Sequence, residues 1–101
     1  MIPGIVSKAS EAVIALATTI QQTADIMRVT STASTTQFNT IIPAFGPQQA
    51  CVMILQNKSG GSITALTTGN IIFTGSITIV DRAQVVLAFS AIDNKWYVTN
   101  N

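Results

Sequence analysis

Few side chains in this sequence can do chemistry. The carboxylates are Glu11, Asp25, Asp81 and Asp93, the one thiol is Cys51, and histidine is absent. Hydrolysis by a carboxylate pair needs two acids converging on one bond, and no D-x-D or E-x-x-H spacing brings these four together. A thiol nucleophile needs a base, and no imidazole exists to supply one. Cys51 opens an apolar run, so it reads as a small buried hydrophobe. One Cys without His leaves zinc short of ligands. Asp81 and Asp93 carry the oxygen type that calcium takes, but each sits where a turn is expected, and Asp serves turns by bonding its own backbone. No G-x-G-x-x-G or P-loop pattern occurs, and turns account for Gly60-Gly61 and Gly69-Asn70. These residues point away from an enzyme: no catalytic residue, metal site or cofactor is expected.

Trp96 and Tyr97 are the remaining candidates. Adjacent residues of a strand face opposite sides, so one ring enters the core and the other meets solvent or a partner. Trp96 shares its side with Val98 and is expected inside. Tyr97 is then the exposed ring.

The totals bound what can hold these residues. The chain has 101 residues, the length of one domain. Hydrophobic residues make up 48% and charged residues only 9%, against about 25% charged in an ordinary soluble domain. With so little charge, the surface is either coated by Thr, Ser, Asn and Gln or covered by another chain, and covering favours an oligomer or a subunit of an assembly. The net charge of +1 is spread over scattered cations, which argues against nucleic-acid binding and against a membrane surface. The longest clean apolar run, AVIALA at 12–17, is far short of the ~20 residues a spanning helix needs. Lys8 before that run imitates a signal peptide, but Glu11 at its edge and its shortness argue against secretion. A single Cys excludes an internal disulfide and fits folding in a reducing cytosol.

The elements that position the candidates read as strands. Residues 1–10 carry Pro3 and Gly4 without a period and form an extended arm, which either lies on a neighbouring subunit or frays as termini do. Residues 11–101 form the domain. Within EAVIALATTIQQTADIMRV, Val13, Leu16, Ala17 and Ile20 stand at helical spacing with Ser10 as a possible cap, but the β-branched residues favour strands at 12–20 and 25–31. Gln37–Ile42 is a short strand closed by Pro43, and Gly46-Pro47 marks a loop. CVMILQN at 51–57 is apolar on both faces, as a central strand would be, or one with a side against a partner. Asn57–Gly61 reads as a hairpin loop. Short runs follow at Ile63–Leu66, Ile71–Phe73 and Ile77–Ile79, with a turn at Asp81-Arg82. Val85, Leu87 and Phe89 give the cleanest period of two. Asp93-Asn94 is a two-residue turn into Lys95–Val98. Strands of this length with a turn every 8–12 residues predict an all-β fold, a small antiparallel β-sandwich or barrel of about 7–9 strands. Ile2, Ile5 and Val6 of the arm, Met53 and Leu55 of the central strand, and Tyr97 are the residues expected at an assembly interface.

The stretch Leu55-Gln56-Asn57-Lys58-Ser59-Gly60-Gly61, then Thr67-Thr68-Gly69-Asn70-Ile71, Gly75-Ser76-Ile77-Thr78-Ile79 and the closing Asn94-Lys95-Trp96-Tyr97 resembles the small β-sandwich modules of tailed-phage virion proteins, found in head decoration proteins, head fibres and tail-fibre ends. Roughly half the chain carries the likeness. It implies a non-enzymatic homotrimer, made in the host cytoplasm and carried on the virion. The short chain lacks a shaft or coiled coil, which favours a capsid decoration (cement) subunit bound to the major capsid protein over a fibre tip. The alternative implied is a receptor- or glycan-binding module of a fibre, with the exposed ring of the Trp96/Tyr97 pair and Asn70, Asn94 and Asn100 as its polar neighbours.

Overall fold

Eleven strands account for the regular structure in a computed structural model that describes residues 11–32, 35–44 and 50–99. The expected arm at 1–10, with Ile2, Ile5 and Val6, and the Gly46-Pro47 loop lie outside the described residues, as does Asn100. The strands are β1 (Glu11–Ala15), β2 (Thr19–Gln21), β3 (Ile26–Ser31), β4 (Gln37–Phe38), β5 (Thr40–Ile42), β6 (Cys51–Asn57), β7 (Ile63–Ala65), β8 (Ile71–Ile72), β9 (Ile77–Ile79), β10 (Gln84–Ser90) and β11 (Lys95–Thr99). The fold is all-β. Strands, not a helix, form in Thr- and Ile-rich 11–31, because β-branched side chains keep their preferred rotamers on a pleated surface. The single strand expected at 12–20 is corrected to two, β1 and β2, which belong to different sheets.

A six-stranded sheet runs in the order β1-β3-β6-β10-β11-β8; β2 pairs with β5, and β4-β7-β9 form a third sheet. The expectation of an antiparallel fold is corrected here. Among the described residues, only β10–β11, β10–β6 and β7–β9 are antiparallel. The pairs β1–β3, β3–β6, β11–β8, β2–β5 and β4–β7 are parallel. Parallel neighbours need a crossover instead of a tight turn. The chain supplies it by leaving the large sheet between β1 and β3 to lay down β2, and again between β3 and β6 to lay down β4 and β5. Asn57–Gly61 is likewise no hairpin: β6 belongs to the large sheet and β7 to the three-stranded one, so this loop carries the chain from one to the other.

Alternation decides what is buried. The inward residues of the large sheet, among them Met27, Val29, Leu87, Phe89 and Trp96, join Ile20 and Ile41 of the two-stranded sheet and Phe38, Ile63 and Ile79 of the three-stranded sheet in one apolar cluster. Trp96 ties two sheets together. Its ring meets Phe89 at 5.2 Å between centroids, tilted 57°, and its indole N–H donates to the Ile41 carbonyl at 3.0 Å. The turn between β10 and β11 spans Ala91–Asn94, longer than two residues, and closes when the Asn94 N–H donates to the Ser90 carbonyl at 2.8 Å. Asn94 takes the left-handed conformation there, φ 58°, which Asn tolerates better than most residues. At Gly69 the reason for glycine is space: a Cβ would overlap the Asn39 carbonyl and the Thr40 hydroxyl.

Candidate functional site

The outward face of the large sheet is where the candidate surface lies, and the register builds it residue by residue. Across one row stand Val52, Ala88, Tyr97 and Ile72 of β6, β10, β11 and β8. The next row carries Ile26, Ile54 and Val86 of β3, β6 and β10. A third row is polar: Arg28, Gln56 and Gln84. Val52, Ile72 and Tyr97 are exposed at 53%, 41% and 42%, while Ile26, Ile54, Val86 and Ala88 are half-buried by one another. Two adjoining rows of apolar side chains therefore face outward across five strands, bounded on one side by amides and a guanidinium. Large contiguous apolar patches on small proteins mark interaction surfaces.

This placement corrects the expected interface on β6. Met53 and Leu55 are wholly buried, paired with Leu87 and Val85 on the core side. Their strand-mates Val52 and Ile54 are the outward pair. The strand offered two apolar faces, each ending in an amide, Gln56 on one and Asn57 on the other. Gln56 marks the wet face. Asn57 is the misleading one, because it is fully buried and satisfied within the chain.

Tyr97 is outward and Trp96 inward, as alternation requires. The Tyr97 hydroxyl donates to the Asp93 carboxylate in the turn below. That bond, helped by Ser90, holds Asp93 below the ordinary carboxylate range and pushes Tyr97 above the ordinary phenol. A carboxyl depressed in the fold stabilises above its unfolded pKa of about 3.9 and loses that contribution as pH falls through its native value. A raised phenol stabilises below its unfolded pKa of about 10 and loses that contribution as pH rises through its native value. The bond is thus strongest between these limits. Replacing Tyr97 by Phe is expected to bring the Asp93 titration up toward its ordinary value, read from the carboxyl carbon by NMR. An unchanged titration would assign the depression to Ser90 and the backbone donors instead.

The other chemical candidates do not converge. Cys51 is half-buried and its Sγ lies 3.7 Å from the Gln22 Oε1 that it donates to. Burial pushes the thiol up and the Asp25 carboxylate adds to this, so it stays protonated. Asn70 is committed to the fold, accepting from the Ile41 N–H at 2.9 Å and donating to the Ile41 carbonyl at 2.7 Å. It is therefore no free neighbour for a glycan. Among the described residues, no group of three or more His, Cys, Asp or Glu could hold a metal ion, and no helix is long and apolar enough to cross a membrane. Comparisons with protein-family models, with curated proteins and with solved structures find no match to this chain.

Proposed function

We propose that this chain is a structural virion subunit: a capsid decoration (cement) protein of a tailed phage, a small β-sandwich that associates as a homotrimer and binds the major capsid protein on the outer head surface. The observation that carries this reading is the apolar outward face centred on Ile54, Val86 and Ala88, on a chain only 9% charged. Covering such a face contributes about 25 cal/mol per Å² of apolar surface before ordering costs. In a threefold ring each contact is heterologous, so the sheet face of one copy meets a different surface of the next. The role is non-enzymatic, uses no cofactor, and needs neither nucleic acid nor a membrane. Shell stabilisation then comes from burying apolar area between neighbours that would otherwise slide or dissociate.

The test is co-sedimentation with undecorated heads of the virus whose genome encodes the chain. Stoichiometric binding that raises the temperature at which the heads rupture is the expected result. A folded protein that stays in the supernatant overturns the reading. The second reading, a receptor- or glycan-binding module of a fibre, rests on the exposed Tyr97 ring, and a glycan array without a hit removes it.

A further inference from the structure

Three of the chain's five basic residues, far apart in sequence, meet in one place. Arg28, Lys58 and Arg82 line a cleft of about 210 Å³ with Gln56 and Gln84 at the polar end of the large sheet. That is below the roughly 300–1,000 Å³ of pockets that take drug-sized ligands, so the cleft suits a small group.

The hydrogen bonds across its floor have one possible polarity. A guanidinium only donates, so Arg28 Nε, 3.1 Å from Gln56 Oε1, fixes that amide with its oxygen toward Arg28. The Gln56 NH₂ then points to the next strand, where it donates to Gln84 Oε1 at 3.1 Å. Both amide oxygens are engaged as acceptors. Donors are what the row has left to offer: the Arg28 Nη atoms, the spare Gln56 hydrogen and the Gln84 NH₂. Asn57, also in the lining, adds no acceptor, since Ser59 occupies its Oδ1 from both N and Oγ. The Ala83 carbonyl accepts from the Asn57 N–H.

Arg82 is held in place at a conformational cost. Its φ is 70°, in the left-handed region that L residues avoid. The turn is held by the Arg82 N–H donating to the Asn57 carbonyl at 2.6 Å and the Ala83 N–H to Val80 at 3.0 Å. Strained residues of this kind gather at ligand sites. Two carboxylates stand at the margins, outside the lining: Glu11, 4.0 Å from Arg28 Nη2, and Asp81, 3.8 Å from Arg82 Nε. Exposed ion pairs at these distances are weak and yield to a better-placed anion.

We propose that this cleft is a binding site for a single oxyanion group, phosphate or carboxylate, held by Arg28, Lys58 and Arg82 with the Gln84 amide as a further donor. The site stands on its own residues and does not depend on the decoration reading. The test is an NMR titration of the full chain with sodium phosphate, and separately with sodium acetate, at ionic strength held constant with chloride. The reporters are the Gln56 and Gln84 side-chain NH₂ groups and the Arg28 Nε–H. Saturable one-site shifts in either arm are expected, and the stronger arm identifies the source of the oxyanion. Arg28→Gln is expected to weaken binding about tenfold or more, the loss of charged hydrogen bonds. Lys58→Gln, at an exposed residue whose backbone bond to the Val29 carbonyl the substitution keeps, is expected to weaken it with the spectrum of the fold unchanged. Shifts that chloride reproduces, or a Lys58→Gln protein that titrates like the wild type, overturn the site.

Discussion

Replacing Trp96 by alanine is expected to remove about 3–5 kcal/mol of folding stability, the range for deleting a buried large aromatic. For a domain whose whole stability is about 5–15 kcal/mol, that lowers the melting temperature by on the order of 20 °C or leaves the chain unfolded at 37 °C. Position explains the size of the effect. Trp96 is completely buried, stands on β11 between β10 and β8, and reaches the two-stranded sheet through its bond to Ile41. The Ile41 carbonyl keeps a second donor, the Asn70 amide at 2.7 Å, so the loss is mainly of packing. Trp96→Phe, which restores most of the volume, is therefore expected to recover most of the stability. Urea unfolding of both variants checks this. Equal losses would mean that the indole N–H, and not the ring's bulk, holds the two sheets together.

Asn57→Asp is the second large effect, and it carries a pH signature. The Asn57 NH₂ donates to the Gly61 and Ile79 carbonyls, each at 2.7 Å, with the side chain fully buried. An aspartate has no hydrogen to give. It takes the amide donor from both carbonyls, of which Gly61 keeps the Ser59 hydroxyl at 3.1 Å. A buried carbonyl left unpaired costs about 1–3 kcal/mol, and the carboxylate points a negative oxygen at both. Burial raises the pKa of such a carboxyl above its unfolded value of about 3.9. A group raised in the fold stabilises below its unfolded pKa and loses that contribution as pH rises through the native value. The penalty is therefore expected to be full at pH 7 and smaller near pH 4, where a protonated carboxyl again donates one hydrogen bond. Unfolding midpoints of the variant and the wild type at both pH values measure it. A penalty that does not shrink in acid would contradict this account of the Asn57 cage.

Much of this was legible in the sequence, and most of the misses share one cause. Strands end where Gly, Asn and Asp permit left-handed turns, so Gly60 and Asn94 announced their positions, and their φ values are 92° and 58°. Period-two alternation placed Val85, Leu87 and Phe89 on one side and put Trp96 inside. Alternation says nothing about which strand lies beside which. The parallel pairing of β3 with β6, the reversal of inside and outside at Met53, Leu55, Val52 and Ile54, and the meeting of Arg28, Lys58 and Arg82 all depend on that lateral order. A polar residue ending a strand was the available signal for the wet face. It failed at Asn57 because a buried amide with every hydrogen bond satisfied looks, in sequence, like an exposed one.

The outward face itself is the centre of the account, and Ile54 is the residue to probe it with. It sits between Ile26 and Val86 on the outer side of the sheet, where a lysine keeps its stem on apolar neighbours and its charge in water. Ile54→Lys is therefore expected to leave the fold intact and to abolish association. Native mass spectrometry of the wild type and the variant, side by side at micromolar concentration, measures this directly. A trimer for the wild type and a monomer of unchanged circular dichroism for the variant is the predicted result. A monomeric wild type, or a variant that assembles as the wild type does, would contradict the claim that this face is built to be covered by another copy of the chain.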